Sequence, residues 1–148
     1  MWRNSGRKNL DVLLIEDNPA QILVLQEILE ESGVAINLRV IEDGEAALAD
    51  LRGQSGQVKR DRPDLVMLDL NLPGKDGRQI LKEIKADHEL QVIPVIVLSS
   101  SQADEDILQC YRLGANCYII KPVDLDEFIK IIRAIESFWC HSARLPKE

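Results

Sequence analysis

Apolar positions recur along the chain in two rhythms. Short, almost unbroken apolar runs stand at Val12–Ile15, Leu65–Leu68, Val95–Leu98 and Cys117–Ile120. A further run, Leu38–Ile41, is interrupted by Arg39. Unbroken runs of this length fit parallel strands covered on both faces, and the interrupted one fits an edge. Helical spacing fills the gaps between them. Ile22, Leu25 and Leu29 share one face of a first helix at spacings of three and four. Asn18 reads as its N-cap, Pro19 as its first residue and Gln21 as a capping-box partner. Gly33 ends it. Further helices are expected near Glu45–Leu51, Gly77–Ala86, Asp104–Leu113 and Leu125–Trp139. Strand then helix, repeated, predicts an α/β domain: one parallel sheet with right-handed crossovers and helices on both faces.

The 148 residues suit a single domain, placed at 10–140 with an N-terminal extension over 1–9 and a C-terminal tail over 141–148. A chain of that length buries about 68–70% of its unfolded surface. The stretch RGQSGQVKRDRPD, rich in glycine and charge, reads as a long loop before the third strand rather than a linker. Asp43-Gly44 reads as a turn. The net charge of −7 argues against nucleic acid and anionic membranes as partners, both of which select basic stripes. No apolar run approaches the roughly 20 residues of a membrane span, and none follows the N-terminus as in a signal peptide. Three cysteines, Cys110, Cys117 and Cys140, form no metal spacing and read as reduced thiols of a cytoplasmic protein.

One residue is out of place in this pattern. Asp69 closes an otherwise apolar strand, where an unpaired charge is costly. In an open parallel sheet, ligands gather at the carboxyl ends of the strands. The first strand ends in Glu16-Asp17, the third in Asp69 with Asn71 beyond it, the fourth in Ser99-Ser100-Ser101, and the fifth in Lys121-Pro122. If the first and third strands are neighbours, three carboxylates meet and repel. A hard cation relieves that conflict, and such a donor set suits Mg2+. A lysine and a hydroxyl beside a carboxylate and a metal suit a transferred phosphoryl group. A carboxylate is itself a competent nucleophile, which makes Asp69 the expected point of attack.

In these elements the sequence resembles the receiver domains of two-component response regulators. The resemblance spans about residues 10 to 139 and rests on LLIEDN, MLDLNLPGKDG with Gly77 eight residues after Asp69, the LSS block, and YIIKP with Lys121 twenty-two residues after Ser99. It implies a flavodoxin-like, doubly wound sheet of order 2-1-3-4-5. It also implies roles: Asp69 as phosphoacceptor; Glu16, Asp17, Asp69 and the main-chain carbonyl of Asn71 as Mg2+ ligands; Ser99 as switch hydroxyl; Lys121 as phosphate-pairing lysine; Tyr118 as a rotating aromatic; and a cis bond before Pro122. The acidic pair is Glu-Asp where Asp-Asp is also common, and the extra methylene could make one metal contact water-mediated. ANCYI, KPVDLD and the aromatic pair Phe138-Trp139 are similar to the small regulators of cyanobacterial phytochromes. The donor so implied is a phosphohistidine on a phytochrome-type histidine kinase.

Two other readings use the same acids. A magnesium-dependent phosphatase of doubly wound fold would need a second acid two residues after the nucleophile, where this chain has Asn71. A receiver-like scaffold without phosphorylation has no need of so much uncompensated charge. Asn71 and Ser101 are poor general bases, so a long-lived phosphoryl group is expected. With no effector domain expected after the last helix, output is assigned to surface contact. The stripe Phe128, Ile132, Ile135, Trp139 is expected to face the sheet. Ile129, Ile131 and Phe138 widen it toward the edges, and that apolar surplus suggests a homodimer through the Leu125–Trp139 helix and the fifth strand, with cover by the tail CHSARLP as the alternative. His88 reads as a surface loop residue and His141 as part of a frayed tail.

Overall fold

A computed structural model describes residues 9–53, 62–72 and 74–146. Most of the N-terminal extension, the centre of the loop before the third strand, Pro73 and the last two residues therefore lie outside the described residues. In chain order the elements are β1 (Leu10–Ile15), α1 (Pro19–Ser32), β2 (Ile36–Ile41), α2 (Gly44–Leu51), β3 (Leu65–Asp69), α3 (Gly77–Ala86), β4 (Val95–Ser99), α4 (Asp104–Arg112), β5 (Cys117–Ile120) and α5 (Leu125–Glu136). Among the described residues the strands form one parallel sheet of order β2-β1-β3-β4-β5. This is the expected doubly wound order, with the Arg39-bearing strand at an edge.

Period-two alternation divides the strand side chains between two cores. Leu13, Ile15, Val66, Leu68, Val95 and Val97 pack on one face under α2, α3 and α4, represented by Leu48, Ile80, Leu81, Ile84 and Cys110. Leu10, Val12, Leu14, Met67, Ile96 and Leu98 pack on the other under α1 and α5, represented by Ile22, Leu25, Ile28, Ile132 and Ile135. The buried residues of the first helix are Ile22, Leu25 and Ile28, with the expected Leu29 only partly buried. Both faces are covered, which is why the strands read as continuous apolar runs.

Several local expectations change. Asp43 is not a simple turn residue: its side chain accepts from the Ala46 amide and caps α2. The last helix keeps its α-helical pattern to Glu136 and then widens into a π-helical turn, Ser137–Ser142. That turn lays Trp139 and Cys140 against the α1/α5 core, while Phe138 stays exposed and meets the Trp139 ring edge-on at 5.1 Å. His141 belongs to this turn, with Nε2 3.0 Å from Glu136 Oε2. The bond before Pro122 is trans, as are all described peptide bonds; trans is the ordinary state of an X–Pro bond.

Candidate phosphoacceptor site

Strand register builds the site. Ile15 pairs with Leu68, so the next residues along, Glu16 and Asp69, leave the sheet side by side. Asp69 in turn lies opposite Leu98, and Ser99 lies opposite Ile120. Lys121 is the following residue, its amide donating to the Ser99 carbonyl at 2.8 Å. β3 and β5 are two strand spacings apart, about 10 Å, a gap a lysine stem can reach across. Lys121 does so: Nζ donates to Asp69 Oδ1 at 3.2 Å and to Glu16 Oε1 at 3.1 Å. The acid that closes the apolar strand is therefore answered by a cation.

Glu16, Asp69 and Ser99 are nearly inaccessible, at 3%, 4% and 1% exposure, whereas Asp17 is half-buried. One oxygen each of Glu16, Asp17 and Asp69 lie within 4.8 Å of one another. Burial, reinforced by the neighbouring Asp69 carboxyl, pushes the Glu16 carboxyl up from 4.5 to about 7, against the pull of Lys121. These carboxylates are crowded and under-compensated, and their donors are hard oxygens. That chemistry fits a divalent cation such as magnesium. Asn71 stands exposed two residues beyond Asp69.

The loop after Asp69 folds back tightly. Gly77 donates its amide to Leu70 O at 3.0 Å, and a Cβ there would lie 2.6 Å from both Asp69 O and Leu70 Cα. Backbone on backbone at that distance has no room for a side chain, which accounts for a glycine at the start of α3. Asp76 caps the same helix, accepting from the Arg78 amide. Lys75 anchors the loop from outside, with Nζ 2.6 Å from Glu83 and 3.2 Å from Glu45.

On the other side, Ser99 Oγ accepts from the Ser101 amide at 3.1 Å. Ser101 Oγ donates to Asp106 Oδ2 at 2.6 Å, and Arg78 on α3 donates to Asp106 Oδ1 at 3.0 Å. Tyr118, one strand over, donates its hydroxyl to the Ser101 carbonyl at 2.9 Å. Ser99 and Tyr118 thus meet at one loop.

Gln21 departs from its expected role. The Asn18 side chain does cap α1, accepting from the Ala20 and Gln21 amides. No capping box closes, because the Asn18 amide turns to Glu16 Oε2 at 3.3 Å. The Gln21 side chain points to the site instead, where its Oε1 accepts from Lys121 Nζ. No motif in the sequence marked it; only the sheet order brings residue 21 beside residue 121.

The response regulator receiver domain family matches residues 12–133. The chain belongs to that family. It is 42% identical to the response regulator Rcp1 of Synechocystis sp. over 135 residues, 91% of this chain and 92% of that one. It superposes on the phosphorylated cyanobacterial phytochrome response regulator RcpA with a TM-score of 0.86 at 45% identity, over 94% of this chain and 99% of that one. The receiver domain of the sensor histidine kinase PA1611 from Pseudomonas aeruginosa PAO1 has a magnesium ion coordinated in its active-site cleft; it matches with a TM-score of 0.70 at 28% identity, over 90% of this chain and 99% of that one. Receiver domains take a phosphoryl group from histidine kinases and are not enzymes in the ordinary sense. No helix among the described residues is long and apolar enough to cross a membrane.

Proposed function

We propose that this receiver domain accepts a phosphoryl group on Asp69 from a phosphohistidine of a phytochrome-type histidine kinase. The observation that carries this reading is the meeting of three carboxylates within 4.8 Å with the Lys121 ammonium against two of them. Glu16, Asp17, Asp69 and the Asn71 carbonyl are the residues that would hold magnesium. When bound, that ion offsets negative charge on the phosphoryl oxygens. An Asp69 carboxylate oxygen attacks phosphorus in line, forming an acyl phosphate. The P–N bond to the donor imidazole breaks, and its electron pair stays on the ring nitrogen. Lys121 pairs with one phosphoryl oxygen, and Ser99 gives up the Ser101 amide to donate its hydroxyl to another. Tyr118, already bonded to the same loop, follows the loop inward. The new charge thereby shifts a pre-existing balance between two surfaces.

Output passes through surface contact, and we assign it to association through α5 and β5, in a cytoplasmic protein with no nucleic-acid or membrane partner. Ile120, Val123 and Leu125 stay exposed at the start of this face and Phe138 at its end, which supports that assignment. The function is tested by phosphotransfer from a phosphorylated phytochrome-type kinase. Wild-type protein is expected to drain label from the kinase, and Asp69→Asn to take none. Undiminished label on Asp69→Asn would refute the acceptor assignment. Slow loss of label is also expected, because Asn71 and Ser101 flank the acyl phosphate with no strong base.

A further inference from the structure

We infer that Gln21 is a positioning residue for Lys121: its side-chain oxygen holds the ammonium at the mouth of the site, ready for an incoming anion. The inference rests on the phosphoacceptor reading above and adds a residue to it.

An ammonium has three hydrogens to place. Lys121 gives them to Glu16 Oε1, Asp69 Oδ1 and Gln21 Oε1. The first two acceptors are carboxylates that the reaction claims for other work. Asp69 becomes esterified, and Glu16 is a proposed metal ligand. Gln21 alone among the three keeps its oxygen free throughout. It is also neutral, so it orients the ammonium without cancelling any of the charge offered to the anion. A long, flexible lysine stem loses little further entropy when one hydrogen is already fixed in place.

Among the described residues the side chain has no other visible task. Gln21 is exposed, contributes nothing to either core, and the α1 cap uses its backbone amide only. Replacing the side chain therefore leaves the cap and the packing intact. Gln21→Met keeps length and shape but removes the acceptor.

The experiment compares wild type, Gln21→Met, Lys121→Ala and the double variant at saturating magnesium. It reads affinity for beryllium fluoride, a stand-in for the phosphoryl group, and the rate of phosphorylation by phosphoramidate. Gln21→Met is expected to weaken the anion and slow the rate by about fivefold, the scale of the net contribution of one ordinary hydrogen bond. Its magnesium affinity should match wild type. In the Lys121→Ala background the same change should cost nothing further, since Gln21 acts through Lys121. Wild-type anion affinity in Gln21→Met overturns the inference. So does an equal loss of magnesium and anion binding, or a fivefold loss that persists without Lys121. A wild-type protein that takes neither anion nor label overturns the phosphoacceptor reading itself, and the role of Gln21 with it.

Discussion

At the scale of single residues, the site depends on one charge placed where charge is costly and on one missing side chain. Asp69 is almost fully buried and is held there by Lys121. Gly77 keeps the chain beyond it close, because a Cβ would run into backbone at 2.6 Å. Gly77→Ala should therefore cost about 1–3 kcal/mol in denaturant unfolding, the scale of overpacking, and should also lower magnesium affinity as the Asn71 loop is pushed outward. An alanine variant of wild-type stability would show that the loop yields without strain. The acidic residues, Ser99 and Lys121 were legible because each follows or ends an apolar run, so strand-end logic finds them; Tyr118 lies inside the fifth run and came from the family resemblance alone. Gln21 was not, because a polar residue three places after an N-cap reads as a local helix signal. Its real partner is one hundred residues away.

At the scale of elements, short polar contacts set the loops around the sheet. Lys75 ties the β3–α3 loop to α2 and α3, and Arg78, Asp106 and Ser101 tie α3 to the β4–α4 loop. Asp87, after α3, accepts from the Glu89 and Leu90 amides. The Leu90 amide, then the Glu89 amide, hold its carboxyl below the ordinary 3.8. The folded chain thus binds that proton more weakly than the unfolded chain. Its contribution to stability is complete above the ordinary aspartate value and disappears as the pH falls through the lowered one. Asp87→Asn should be less stable than wild type near neutrality, and the difference should shrink in urea titrations as the pH falls below the ordinary aspartate value. A difference that stays constant with pH would mean that the carboxylate charge contributes nothing. Element types were legible throughout, since each strand is an apolar run and each helix has apolar positions at helical spacing. The ends were less so. β2 begins two residues earlier than its apolar run because Asn37 pairs with Asp11 at the sheet edge. α5 changes to a π turn at Ser137, where no proline or glycine marks the change.

At the scale of the whole molecule, sheet order converts distant sequence positions into one pocket. Residues 16 and 69 become neighbours only because β3 lies next to β1, and 121 reaches them only across β4. The apolar runs predicted parallel strands, but their order came from family resemblance; alternation alone does not specify which strands adjoin. Magnesium binding to the folded pocket should raise stability by mass action, about 2.7 kcal/mol at a hundredfold excess over Kd. Thermal unfolding of wild type should shift upward with magnesium, and that of Asp17→Asn far less. Equal shifts would place the ion elsewhere. Association should be visible in sedimentation at tens of micromolar as a dimer that Ile120→Lys weakens; an unchanging monomer, with or without beryllium fluoride, would remove α5 and β5 as the output face. The pocket itself is tested most directly by treating the protein with phosphoramidate and mapping the acyl phosphate. One label, on Asp69, formed with magnesium and lost with chelator, is the expected result. Label on another residue, or label on Asp69 indifferent to the metal, would contradict the convergence of Glu16, Asp17, Asp69, Ser99 and Lys121 on one phosphoryl group.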